Sequence, residues 1–235
     1  MPEYGHHSEA EPAASASPLV YAIADIHGSL QKLCDLIAQC ERHADGRPAT
    51  FVFLGDYIDR GPDSCGVIDT VMMLQSRLKH RVIALQGNHE AVALEVVDGK
   101  TDAGPWLREG GAATLRSYGA SSARDIPHEH VAWMRSLPLR YDDGRRFFVH
   151  AGIDPERPLD RQSDRDLLWI REPFLSDPRD HGRLIVHGHT PHTGGVPDLR
   201  SNRLNLDTAA VFGGPLTAAA FVGRQRDPIG FLQAD

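Results

Sequence analysis

Between Thr50 and Ser64 the chain reads Thr-Phe-Val-Phe-Leu-Gly-Asp-Tyr-Ile-Asp-Arg-Gly-Pro-Asp-Ser. Its first half is a short apolar run that predicts a buried strand. The run breaks at Gly55 and releases Asp56, Asp59 and Arg60 within five residues. Gly61-Pro62 closes the turn, and Pro62 is placed to open the helix that follows. Strand exits of this kind are where open α/β sheets carry their chemistry. Two carboxylates and a guanidinium side by side there can hold a cation next to an anion. A polar loop with an Asp N-cap accounts for the same residues equally well, so the rest of the chain must decide.

The pattern recurs. Leu19–Ala24 predicts a first strand, which ends in Asp25-Ile26-His27-Gly28. Side chains at i and i+2 of an extended chain share a face, so Asp25 and His27 can turn toward one cation. Ser29 is then the expected N-cap of a helix with Leu30, Leu33, Leu36 and Ile37 on one face. A second helix is expected over 62–79, with Val67, Ile68, Val71, Met72 and Leu74 as its core stripe. Arg81–Gln86 predicts a third strand, leaving through Gly87-Asn88-His89-Glu90. Arg146–Val149 ends in His150, and Leu184–Val186 ends in His187-Gly188-His189. The order strand, polar turn, helix implies an α/β sheet with active groups along one edge. Residues 91–140 are expected to be mostly helical and interrupt the pattern, as a cap-like insertion that shapes substrate choice or simply serves as scaffold. The final part predicts antiparallel β structure: Arg203–Asp207, a turn at Gly213-Gly214-Pro215, then Leu216–Val222.

A chain of 235 residues suits one large domain, expected over 18–235. Residues 1–17, rich in Ala, Ser, Pro, Glu and His, predict a flexible tail. The net charge of −7 argues against a nucleic-acid or membrane-surface partner, either of which needs a basic excess. No secretory leader or spanning run is evident, so the expected location is cytoplasmic. Cys34, Cys40 and Cys65 form no C-x-x-C pair, which predicts a reducing compartment and three small buried side chains.

Five strand ends therefore carry candidate ligands: Asp25 and His27; Asp56 and Asp59; Asn88 and His89; His150; His187 and His189. Single polar residues at strand ends are common, but five together are not. Oxygen and imidazole donors without thiolate suit Mn²⁺, Fe or Zn²⁺. The number of donors around a central carboxylate suits two divalent ions, with manganese the first choice.

Asp25-Ile-His27-Gly28, Gly55-Asp56-Tyr-Ile-Asp59-Arg60-Gly61 and Gly87-Asn88-His89-Glu90 resemble, in order, the three signatures of the PPP-type, calcineurin-like metallophosphoesterases. His150-Ala-Gly and Gly188-His189-Thr resemble the two later histidine blocks. Leu168-Trp169-Ile170-Arg171-Glu172 is similar to the arginine block of small bacterial and phage lambda-type serine/threonine protein phosphatases. The resemblance spans roughly residues 19–222. It implies a four-layer β-sandwich flanked by helices, with a dinuclear metal site at the strand ends. It further implies that Asp25, His27 and Asp56 hold one metal, and that Asp56 bridges to a second completed by Asn88, His150 and His189. A water shared by the two ions would attack phosphorus in line. Arg60, Arg171 and Asn88 would hold the phosphate, a task that suits planar, always-charged guanidinium groups. His89 would protonate the leaving oxygen, with Asp59 orienting it. His187 would then be a supporting or core histidine, and Asp207 a structural acceptor.

The implied function is hydrolysis of phosphoserine and phosphothreonine in proteins, with phosphotyrosine or small phosphate esters as further substrates. A symmetrical dinucleoside tetraphosphate hydrolase is the alternative enzyme, since that branch shares the first three motifs. A non-catalytic metal-binding scaffold would be expected to lack a ligand or the Asp59–His89 pair, and here all are present. The oligomeric state is not readable from the sequence.

Overall fold

The computed structural model describes residues 17–77, 79–192 and 194–235. The tail expected over 1–17 lies outside these, except for Ser17. Two five-stranded sheets face each other. The first contains β1 (Leu19–Ile23), β2 (Ala49–Phe53) and β3 (Arg81–Ala84), with β9 (Leu216–Val222) and β10 (Gly230–Ala234), in the order β10-β9-β1-β2-β3. The second contains β4 (Arg140–Asp142), β5 (Arg146–Val149), β6 (Leu184–His187), β7 (Asp198–Leu199) and β8 (Arg203–Asn205), in the order β4-β5-β6-β8-β7.

The alternation along β1 explains the layering. Leu19, Tyr21 and Ile23 pack with Phe51 and Phe53 against helices α1 (Leu30–Ala44) and α2 (Ser64–Ser76). Ala22 and Ala24 point the other way and meet Val52, Leu54, Phe148, Val186, Leu204 and Phe221 between the sheets. Both faces of the strand are buried, so its sequence is apolar throughout rather than alternating. On the far face of the second sheet, Phe147, Val149 and Ile185 pack with Leu167 and Phe174, beneath α7 (Asp164–Trp169). The result is the layered metallophosphoesterase sandwich that the resemblance implies. No helix among the described residues is long and apolar enough to cross a membrane.

Between β3 and β4 the chain is helical: α3 (Asn88–Val97), α4 (Ala103–Trp106), a π-helical turn (Leu107–Gly111), α5 (Ala112–Tyr118) and α6 (His128–Ser136). The helical stretch thus begins three residues before 91, with Asn88 and His89 in the first turn of α3.

Several local expectations are corrected. Arg203–Asp207 and Leu216–Val222 are not partners. β8 runs parallel to β6, while β9 lies antiparallel to β1 in the other sheet. The free edge of β1 captures β9, and the intervening loop crosses between sheets, held by Lys32 Nζ donating to Ala210 O and Gly214 O at 3.1 and 2.6 Å. The side chain of Ser29 makes no capping bond to α1. Pro62 lies before α2, which begins at Ser64 and is capped by Asp63 accepting from Gly66 N–H at 2.8 Å. Of the cysteines only Cys40 is buried, while Cys34 is exposed.

Candidate metal centre and phosphate site

The turns after β1 and β2 are zipped together before any side chain is considered. The N–H groups of Ile26 and His27 both donate to Asp56 O, at 3.0 and 2.8 Å, and Gly28 N–H donates to Tyr57 O at 2.8 Å. Glu90 fixes the second turn from α3. Its carboxylate accepts from Asp56, Tyr57, Ile58 and Gly87 N–H at 2.8–3.2 Å. These turns are wound tightly. Asp25, His27, Asp56, Asp59, Arg60 and His189 all have φ between +38° and +73°, a region that non-glycine residues rarely adopt. Asp25 and His27 therefore do not share a face by strand geometry. A left-handed turn brings them to the site.

Asp56 stands at the centre. Its carboxylate lies 3.3 Å from His27 Nε2 and 3.5 Å from His150 Nε2. Ligand atoms of His27, Asp56 and His89 lie within 4.8 Å of one another, as do those of Asp56, His150 and His189. Asn88 Oδ1 sits 2.8 Å from His150 Nε2 and 2.9 Å from His189 Nδ1. Asp25 lies outside both groups, and its oxygens accept from His189 N–H at 3.0 Å. Gly188 is obligatory at this approach, because a Cβ there would stand 1.8 Å from Asp25 Oδ2.

His189 and His187 separate clearly. The ring of His189 faces Asn88 and lies 5.1 Å from that of His150. The ring of His187 packs edge-on against Phe174, 5.0 Å away, on the other side of the sheet. Asp207 accepts from Ala209 N–H at 3.0 Å, a structural bond.

A cavity of about 440 Å³ opens over the centre, lined by Asp56, Arg60, Asn88, His89, Arg171 and His189. Its wall also includes Trp106, Glu109, Trp169 and Phe212. Arg60 and Arg171 thus reach one cavity although they stand 111 positions apart in the chain. His89 Nδ1 is bonded to Asp59 at 2.7 Å. Every residue singled out from the sequence for metal, phosphate or proton is at this cavity or buried beside it; His187 is not.

The model of the calcineurin-like phosphoesterases matches residues 18–217. The chain belongs to the calcineurin-like phosphoesterase family. It is 30% identical over 217 residues to serine/threonine-protein phosphatase 1 of Salmonella typhimurium, covering 85% of this chain and 90% of that one. It is 28% identical over 225 residues to an asymmetrical bis(5'-nucleosyl)-tetraphosphatase of Oceanobacillus iheyensis, covering 85% and 87%. A crystal structure of a candidate diadenosine tetraphosphatase superposes with a TM-score of 0.70 at 25% identity, covering 96% of each chain.

As a phosphoesterase of this family the chain is a hydrolase, and its donor set fits metal ions on chemical grounds. Arg60 reaches His27 Nε2 at 2.5 Å, and a guanidinium only donates, so that nitrogen bears a lone pair. The proton is on Nδ1, given to Ile58 O at 2.7 Å. His150 likewise gives Nδ1–H to Leu54 O at 3.0 Å, which leaves the lone pair of Nε2 facing Asn88 Oδ1 and Asp56. Burial keeps His150 neutral and pushes His27 and His189 down to about 3. Lone pairs facing oxygens at such range call for a positive charge between them. Burial raises Asp25 well above the usual carboxylate range, with the charges of Asp207 and Asp56 adding to it, which a cation would reverse. Burial also opposes ionisation of Asp56, and the imidazoles of His150, His89, His27 and His189 hold that carboxyl below its ordinary value only where they carry charge, a charge that a cation between these groups would supply instead.

Sequence reading missed three residues here. Glu90 was visible only as the last letter of a motif, although an acid three residues after a helix N-cap, here Gly87, is a capping signal. Trp106 and Thr114 gave no signal. Each reads as ordinary helix packing, yet both bond to Asp59.

Proposed function

We propose that this phosphoesterase hydrolyses phosphomonoesters on proteins, chiefly phosphoserine and phosphothreonine, with residues 18–235 acting as one unit. One observation carries the reading: buried Asp56 stands between His27 and the His150–His189 pair, in one cavity with Arg60, Arg171 and the bonded pair His89–Asp59. Asp25, His27 and Asp56 would hold one divalent ion, and Asp56, Asn88, His150 and His189 a second, with manganese the first choice. When bound, such ions supply an acidified water and offset the charge on phosphate. Arg60 and Arg171 clamp the non-bridging oxygens, with Asn88 assisting. Attack on phosphorus breaks the bond to the leaving oxygen, which takes a proton from His89. Asp59 orients that imidazole and favours its protonated form; burial works against protonation, but Asp56 and Asp59 together raise the His89 pKa above its ordinary value.

The likeness to the Salmonella phosphatase supports a phosphoprotein substrate. A dinucleoside tetraphosphate is the second reading, favoured by the full-length likeness to the tetraphosphatases and by exposed aromatic rings at the cavity, Trp169 and Phe212, which suit a base. The matching relatives are of the asymmetrical type, so product analysis must accompany rates. With Mn²⁺ present, kcat/KM on a phosphoserine/phosphothreonine peptide is expected to exceed that on diadenosine tetraphosphate by about tenfold or more. The opposite ranking gives the site to the dinucleotide.

A further inference from the structure

The helical insertion reaches back into the site at one place. Asp59 is completely buried, and its carboxylate meets three donors. His89 Nδ1 lies 2.7 Å from Oδ2. The indole Nε1–H of Trp106 straddles both oxygens at 2.9 and 3.1 Å. Thr114 Oγ1 lies 2.6 Å from Oδ1. Trp106 ends α4 and Thr114 lies in α5, on either side of the π-helical turn.

Counting protons fixes the direction of each bond. An indole N–H only donates. Thr114 Oγ1 already accepts Asp59 N–H at 2.8 Å and lies 3.1 Å from Ser64 Oγ. Ser64 Oγ accepts from the same N–H at 3.1 Å, so its own proton is free for Thr114. Thr114 then gives its single proton to Asp59. The Asp59 carboxylate is an acceptor in every bond, and His89 Nδ1 must be the donor in the bond to it. The remaining nitrogen, Nε2, is the one left to serve the cavity that His89 lines.

The backbone holds this arrangement in place. Arg60 N–H donates to Gly110 O at 3.2 Å. Gly110 has φ +125°, and a Cβ there would stand 2.5 Å from Arg60 N. The π-helical turn is thus pressed directly against the turn that carries Asp59 and Arg60.

We propose that Trp106 and Thr114 are positioning residues for proton delivery: they fix the Asp59 carboxylate so that His89 is held in one tautomer and one ring orientation. The proposal rests on His89 as proton donor to the leaving group. The insertion therefore contributes to the chemical step as well as to the shape of the cavity. Proton donation matters most when the leaving oxygen is a poor leaving group, and general acids typically contribute about 10²–10⁴-fold.

The test compares kcat on phenyl phosphate, a poor leaving group, with kcat on 4-nitrophenyl phosphate, a good one. It uses the manganese-loaded full chain and variants Trp106→Phe, Thr114→Val, Thr114→Ser and His89→Asn, with metal content and melting temperature measured on each. Trp106→Phe and Thr114→Val are expected to lower the ratio of the two rates by about tenfold, and Thr114→Ser to restore it. In the His89→Asn background neither change is expected to move the ratio further, because partners acting through one group are not additive. A ratio unchanged in Trp106→Phe and Thr114→Val while His89→Asn lowers it would overturn the proposal and leave His89 as the acid. A ratio unchanged in His89→Asn itself would remove the acid, and the proposal with it. If Trp106→Phe fails to fold, the Thr114 pair alone decides.

Discussion

The two sides of the cavity are assembled over very different distances along the chain. Each side chain proposed to hold metal follows closely on its own strand: Asp25 and His27 after β1, Asp56 after β2, Asn88 after β3, His150 after β5 and His189 after β6. On the side proposed to deliver the proton, Asp59 comes from the turn after β2, but its partners Trp106 and Thr114 stand 47 and 55 residues further on. A metal ligand needs only a strand exit and a donor atom. A proton donor needs its partner aimed, and here a separate helical segment does the aiming.

The sharpest way to break this contrast is at its shared centre. Asp56→Asn is expected to weaken both cation positions together and to lower kcat by about 10³-fold or more. Elemental analysis and turnover check it. Loss of one ion alone would show that the two groups do not share Asp56. The second test concerns the neighbours on either side of Gly188. His189→Ala is expected to weaken metal binding by about 10–100-fold in a Mn²⁺ titration. His187→Ala is expected to leave the titration in place and to cost about 2 kcal/mol of stability in denaturant, because its ring fills space against Phe174. The reverse order would exchange their roles.

The smallest effect is a dependence on pH. Burial raises Asp207 to about 6, against about 4 in an unfolded chain. The native state therefore binds this proton more tightly than the unfolded state. That stabilisation is fully present below pH 4 and is lost as pH rises through 6, about 2–3 kcal/mol from this group. Because the buried neutral histidines make both proteins gain stability over the same range, the loss is read as a difference: in urea unfolding of chelator-treated protein the wild type is expected to fall about 2–3 kcal/mol relative to Asp207→Asn between pH 4 and 7, and added Mn²⁺ to oppose the fall. Parallel pH profiles of the chelated wild type and Asp207→Asn would show that Asp207 holds its proton no more tightly in the native state than in the unfolded chain.

Much of the first side was legible in the sequence. Apolar runs ending in Asp, His or Asn are local signals, and the order of the motifs gave the family. The conformation of those turns was not legible: Asp25 and His27 share the site through positive φ values, where the extended-chain reading assumes a flat strand. Sheet membership was also hidden. Arg203–Asn205 and Leu216–Val222 look like a hairpin because nothing between them records that the first pairs with β6 and the second with β1. Trp106 and Thr114 were invisible for a related reason. Their function lies in a contact with a residue about fifty positions away, and hydrophobic patterning cannot distinguish a tryptophan packed in a core from one donating to a buried carboxylate.

The left-handed residues around the site limit how far this chain can be hardened. A designer seeking heat resistance would begin where the backbone is held in a rarely populated conformation, each instance costing about 1 kcal/mol or more. Among the described residues eight non-glycine positions qualify, and six of them are Asp25, His27, Asp56, Asp59, Arg60 and His189. Glycine at any of the six would relax the chain and delete a side chain of the site. Only Asp45, just past α1, and Ala209 are open to such relief. Robustness in this scaffold must be gained away from its chemistry, and natural drift toward a sturdier fold would be blocked at those same six positions.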